Sequence, residues 1–157
     1  MNRNEIMFRL AMRADLPSIV RLLADDELGS QRERYEDPLP QSYYVAFEQI
    51  NNDPNHELIV AELGGEVVGT LHLIFIPSIS FQGSLRAQIE SVRVDKNYRN
   101  QRIGNEMMKW TIKRAGERGA HVVQLTTHQS RADAHRFYER LGFKRSHFGM
   151  KMSLKYL

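Results

Sequence analysis

Cysteine is absent from all 157 residues. That excludes disulfides, thiolate metal sites and cysteine nucleophiles together, and it fits a reducing compartment. No apolar run approaches the roughly 20 residues that span a bilayer, and the opening "MNRNEIMFRLAMR" carries no Sec-type leader. A cytoplasmic protein with no membrane partner is the expectation. The six histidines form no metal string: "HQSRADAH" sets His128 and His135 seven apart, with no H-E-x-x-H pattern. No metal is expected. Neither a G-x-x-x-x-G-K-[ST] loop nor a three-glycine dinucleotide loop is present. A dense basic patch is missing too. Lys and Arg total 22 against 19 Asp and Glu, a net charge of +3, and the signs interleave in "QRERYEDP" and "WTIKRAGERG". A phosphate-backbone binder concentrates its charge, so no nucleic-acid partner is expected.

What is present suits one domain over residues 1–157. The hydrophobic fraction is 41%, and a chain of this length buries roughly 70% of its unfolded surface without staples. "MFRL" reads as a first strand. "ADLPSIVRLLADDELG" reads as a helix with Asp15 as cap and Gly29 as stop, and "SYYVAFEQINND" as a second helix. "ELIVAEL", "GG" and "EVVGTLHLIFI" make a hairpin, and "LRAQIESVRV" adds a third long strand. The period then becomes 3.6 from about Ile103 to Arg118. "HVVQLTT" is a buried-type strand, "RADAHRFYERLG" a short helix closed by Gly142, and "FKRSHFGMKMSL" is expected to supply two last strands. The class is α/β: a mixed, mostly antiparallel sheet flanked by helices.

The stretch "VRVDKNYRNQRIGNEMM" places Lys96, Arg99 and Arg102 between a strand and a helix start. Unpaired amides and the helix dipole there favour an anion, and Arg99 and Arg102 can add charge-assisted hydrogen bonds. From local chemistry alone, an anion site and a solvated charged loop both remain open.

"RNQRIG" resembles the acyl-CoA-binding motif of the GNAT superfamily of N-acetyltransferases, [Q/R]-x-x-G-x-[G/A] after a strand. Arg99 opens it and Gly104 closes it, while Arg102 stands where the inner glycine is usual. "RADAHRFYERLGF" resembles the second signature of that superfamily, N-x-x-A-x-x-F-Y-x-x-x-G-F. Ala134, Phe137, Tyr138, Gly142 and Phe143 match, and Arg131 replaces the asparagine. "FRLAMRADLPSIVRLL" is similar to the usual opening. The resemblance covers nearly the whole chain in order.

The resemblance implies a GNAT-like acyl-CoA N-acyltransferase fold and transfer of acetyl from acetyl-CoA to a primary amine by direct attack in a ternary complex. The acceptor is a small amine or a peptide or protein amine. The rival reading is a non-catalytic CoA-binding regulatory module. Acetyl-CoA is expected beside the main chain of Val92 and Val94, with its diphosphate on Arg99, Arg102, Ile103, Gly104 and Asn105, and with Arg131 as a further contact. Tyr138 is the candidate proton donor to the departing thiolate. Glu90 is the candidate general base, and Gln88 and Glu90 are expected to share a strand face with Val92 and Val94. With ordinary dihedrals at Arg102, its amide can still bind phosphate. Asp26, Glu27, Tyr44 and His128 are candidates for the acceptor side. Similar proteins commonly dimerise, and the C-terminal strands are the candidate contact for a homodimer.

Overall fold

The computed structural model describes residues 5–154. Its elements run β1 (Met7–Leu10), α1 (Leu16–Ala24), α2 (Glu27–Ser30), α3 (Gln41–Asn51), β2 (His56–Leu63), β3 (Glu66–Pro77), α4 (Ser80–Gly83), β4 (Leu85–Val94), α5 (Ile103–Glu117), β5 (Ala120–Leu125) and α6 (Ala132–Arg140). The strands form one sheet in the order β1-β2-β3-β4-β5. β1 to β4 are an antiparallel meander, and β5 joins β4 in parallel after the α5 crossover. The expected mixed, mostly antiparallel sheet with flanking helices is observed.

Local chemistry accounts for the turns. Leu63 pairs with Glu66, so the β2–β3 loop is Gly64-Gly65, with φ of 61° and 90°. A type I′ hairpin turn needs positive φ at both positions, which glycine adopts without a Cβ penalty.

Each face of the sheet carries a core. Ile59, Ala61, Leu71, Leu73, Phe75, Ala87 and Ile89 pack with Ile103, Met107, Met108 and Ala115 of α5. Val60 and the half-buried Leu58 pack on the other face with Leu16, Ile19, Val20 and Leu22 of α1 and Phe47 of α3. This is the period of two expected of a covered sheet. An ion cluster also ties α5 to β2. Glu57 is buried and accepts from Arg114 at 3.0 and 2.7 Å and from Arg118 at 2.9 Å.

Four expectations are corrected. Asp15 makes no side-chain cap on α1. Its carboxylate is held instead by Arg9, at 2.7 and 3.0 Å, and by the Met12 N–H. The first helix does not run unbroken to Gly29, because Asp26 caps a separate turn, α2, by accepting the Gly29 N–H. Residues 143–154 form no strand. Their alternation is present but uncovered: Phe148, Met150, Met152 and Leu154 are 97%, 94%, 79% and 72% exposed. Finally, Glu90 does not share a face with Val92 and Val94. Ser91 has φ of 54°, and the β3–β4 register slips between Thr70 and His72. This bulge reverses the alternation. Val92 and Val94 therefore join Ile89 against the α5 core.

Candidate active site

The site begins where two strands part. β4 and β5 pair from Leu85↔Ala120 to Ile89↔Leu125 and no further. β4 continues to Val94, so the main chain of residues 90–94 has no sheet partner on its β5 side. The divergence leaves a notch between this edge and the segment leading into α6. An extended ligand with amide groups can pair with such an edge as an added strand would.

The notch runs to the start of α5. The first helical bond is from the Glu106 N–H to the Arg102 carbonyl, at 3.0 Å. The amides of Ile103, Gly104 and Asn105 thus have no acceptor within the helix. Ile103 is buried, so its side chain serves the core and only its amide faces the anion path. Asn105 is half-buried. A Cβ on Gly104 would sit 3.6 Å from both Val94 and Phe137. That single residue brings the notch edge, the basic loop and the "FY" helix together.

Arg102 precedes α5 with φ of 64° and ψ of 1°, and its side chain makes no cap. Arg102 therefore does not have ordinary dihedrals. The chain keeps the left-handed backbone that the usual glycine would supply, at a cost of roughly 1–2 kcal/mol for a residue with a Cβ. The helix entry requires this geometry, and the sequence does not relax it. Asn100 is also left-handed, with φ of 64°. Arg99 is mostly exposed. Its Nε donates to the Val94 carbonyl at 3.4 Å, and its guanidinium lies 3.9 Å from Asp25. Lys96 pairs with the same Asp25 at 3.2 Å.

Tyr138 sits on α6 with its ring edge-on to Phe137 and Phe143, at centroid distances of 5.2 and 5.9 Å. Burial pushes its phenol above the ordinary value, and the nearby charges of Arg93 and Arg131 act against that rise. The hydroxyl is therefore protonated at neutral pH and able to donate. Glu90 is half-buried, accepts from Gln88 Nε2 at 3.0 Å and lies across the strand pair from His72. His72 in turn shares a 2.9 Å hydrogen bond with His56. Burial, with the His56 charge, lowers His72 to about 4, so it is neutral at physiological pH.

The other candidates are distributed around this centre. Asp26 is engaged with Arg131 at 2.5 Å and with the Gly29 N–H at 2.5 Å. Burial works to raise its pKa, but these partners and Arg93 hold it below the usual carboxylate range. Glu27 is exposed on the first turn of α2. Tyr44 lies under the Arg13 guanidinium, 4.4 Å from its ring centre. His128 is exposed and bonded to Ser130 Oγ at 2.8 Å. A cavity of about 180 Å³ opens between α1, α3 and the sheet, lined by Leu16, Leu23, Tyr43, Thr70, His72 and Ser91 among others. The tyrosine on its wall is Tyr43, not Tyr44. Another cavity, of about 220 Å³, lies on the α5 face between Arg9, Glu57, Trp110 and Arg114, and no notch residue lines it.

Sequence reasoning missed Arg93 and His72. Arg93 was hidden by the bulge. His72 was legible only as a strand histidine. The pairing with Glu90 needed the β3–β4 register, which no local pattern carries.

Residues 20–143 match the model of the acetyltransferase (GNAT) family. The chain belongs to this family. Among GNAT relatives, an aminoalkylphosphonate N-acetyltransferase of Salmonella typhimurium is 37% identical over 105 residues. That match covers 65% of this chain and spans 66% of the length of the Salmonella protein. A solved structure from Bacillus halodurans C-125, described as a transcriptional regulator, is 53% identical with a TM-score of 0.93, covering 96% of this chain and 100% of that one. A glucosamine-6-phosphate N-acetyltransferase from Arabidopsis thaliana has a TM-score of 0.79 at 18% identity, covering 97% of this chain and 100% of that one, and so shares the fold.

Proposed function

We propose that this protein is an acetyl-CoA-dependent N-acetyltransferase that acetylates a small primary amine. The observation that carries the reading is the parting of β4 from β5 after Ile89, with Gly104 closing the notch against Val94 and Phe137. The residues present fit the cosubstrate. The main chain of Val92 and Val94 would hold the pantetheine amides. The amides from Arg102 to Asn105, with the Arg99 and Arg102 guanidiniums, would hold the diphosphate. Bound acetyl-CoA supplies an activated acyl group and a thiolate leaving group.

The chain's own residues manage protons and position. Tyr138 holds the proton that the departing sulfur needs. Glu90 would take the proton that an attacking ammonium must lose, directly or through water. Backbone N–H at the free β4 edge is available to the acyl oxygen. With no cysteine in the chain, transfer through an enzyme thioester has no nucleophile, and the amine attacks directly in a ternary complex. The Salmonella relative, named for an aminoalkylphosphonate, supports a small amine over a peptide or protein amine.

The test is release of free CoA thiol from acetyl-CoA across a panel of primary amines, with mass spectrometry of the acetylated product. Turnover on at least one amine is expected. The second reading, a CoA-binding regulatory module, is favoured by the description of the Bacillus halodurans protein. CoA binding without thiol release on any amine would support it instead.

No helix among the described residues is long and apolar enough to cross a membrane, and we place the protein in the cytoplasm. The uncovered row Phe148, Met150, Met152 and Leu154 supports a homodimer in which these segments pair. Sedimentation of the wild type against Phe148→Ser/Met150→Ser measures it.

A further inference from the structure

We infer that the acceptor amine carries an acidic group, carboxylate or phosphonate in type, which Arg93 receives at the notch edge with support from Arg131. This rests on the acetyltransferase reading and names its substrate class.

The Ser91 bulge is the origin. It turns Val92 and Val94 to the α5 core and leaves Arg93 facing the α1–α2 junction, with Nη2 3.7 Å from Asp26. The Arg93 side chain is only 15% exposed. Nη1 donates to the Val92 carbonyl at 2.9 Å, but the buried Nε has no acceptor. A buried guanidinium with an unmet donor is costly unless an anion completes it.

The local charge does not complete it. Asp26 is the carboxylate within reach, and its Oδ2 is already taken by Arg131 at 2.5 Å, while Oδ1 accepts the Gly29 N–H. Arg32, from the loop after α2, adds a third cation whose field Arg93 feels. Two guanidiniums, Arg93 and Arg131, thus share one carboxylate oxygen. The neighbouring Asp25 lies on the side of the basic loop, with Lys96 at 3.2 Å and Arg99 at 3.9 Å, and its buried Oδ2 accepts no hydrogen bond.

The cosubstrate does not account for the excess. Its diphosphate belongs at the α5 start, its 3′-phosphate lies beyond the diphosphate at the end away from the thiol, pantetheine is uncharged, and Arg93 points to the face opposite α5. The face that remains is the one from which an acceptor enters. Arginine's planar fork suits a carboxylate or phosphonate bidentately. Arg93 stands between Val92 and Val94 on the free edge of β4, so a short spacer separates the acid of the acceptor from its amine.

Matched acceptors test the inference: propylamine, 1,3-diaminopropane, 3-aminopropionate and 2-aminoethylphosphonate, each with saturating acetyl-CoA and thiol release as the readout. The wild type is expected to favour the acidic amines over propylamine by roughly tenfold or more in kcat/KM, as a charge-assisted hydrogen bond implies. The ratio of the two acidic arms identifies the group preferred. Arg93→Gln is expected to bring the acidic-to-neutral ratio towards one, and Arg93→Lys to restore part of it. Equal or better use of propylamine or the diamine by the wild type, or an unchanged ratio in Arg93→Gln, overturns the inference. If no amine is acetylated, calorimetry of the same four compounds with CoA-saturated protein decides it separately. An acid preference lost in Arg93→Gln then upholds the subsite while the enzymatic reading falls. Equal affinities, or no binding by any of the four, overturn the subsite.

Discussion

At the residue level the proposed chemistry centres on Tyr138. Its neighbours Phe137 and Phe143 fix the ring, and burial keeps the phenol protonated. Tyr138→Phe retains the packing and removes the proton. We expect kcat to fall about a hundredfold, in line with the loss of a positioned general acid, with CoA affinity changed little. An unchanged kcat would remove Tyr138 from the reaction. Arg102 makes a different prediction, because its strain is conformational. Arg102→Gly meets φ of 64° without a Cβ and is expected to stabilise the fold by about 1 kcal/mol, a rise in Tm of roughly 2–4 °C for a domain of this size. Calorimetric melting measures it. The motif made Tyr138 and Gly104 legible in the sequence. The dihedral of Arg102 was not legible, because an arginine at a glycine position gives no sign of which of the two yields.

Among the elements, β4 determines the site and α5 anchors it. The strands and helices were readable from periodicity: the Gly-Gly hairpin, the apolar stripe of α5 and the short "FY" helix all stand where the pattern places them. The Ser91 bulge was not readable. Nothing in "QIESVRV" announces a break in alternation, and one slipped residue moves every later side chain to the other face. Arg93 was therefore not singled out, and Glu90 was read as sharing a face with the valines. The C-terminal alternation was legible, but no strand among the described residues covers it. α5 is held to β2 through Glu57, which is 6% exposed and satisfies both Arg114 and Arg118. Arg118 also stacks on Phe75, 4.2 Å from the ring centre. Glu57→Gln leaves two guanidiniums facing a neutral amide. Because both arginines are partly solvated, the loss is expected near 2 kcal/mol, below that of a fully buried pair. Urea denaturation at neutral pH measures it, and a loss under about 0.5 kcal/mol, the range of an ordinary surface substitution, would contradict this anchoring role.

For the molecule as a whole, stability against acid is linked to the sheet face that α1 and α3 cover. His72 titrates at about 4 in the folded protein, against roughly 6.5 in an unfolded chain. Above pH 6.5 neither state binds this proton. Between pH 6.5 and 4 the unfolded chain binds it and the folded one does not, so stability falls as pH falls through that window. Asp15 adds to the decline at lower pH. Its hydrogen bonds from Arg9 hold its pKa below the usual value against the opposing effect of burial, and the Met12 N–H assists. Tm measured from pH 7 to 4 is expected to drop, and to drop less steeply in His72→Gln. The central claim concerns the notch, which is where sheet, basic loop and tyrosine helix meet. It is tested most directly by a crystal structure of the acetyl-CoA complex. The account predicts pantetheine paired with the main chain of Val92 and Val94, the diphosphate on the amides from Arg102 to Asn105, and the sulfur within hydrogen-bond reach of the Tyr138 hydroxyl. A diphosphate bound away from the start of α5, with the β4 edge left unpaired, would contradict it.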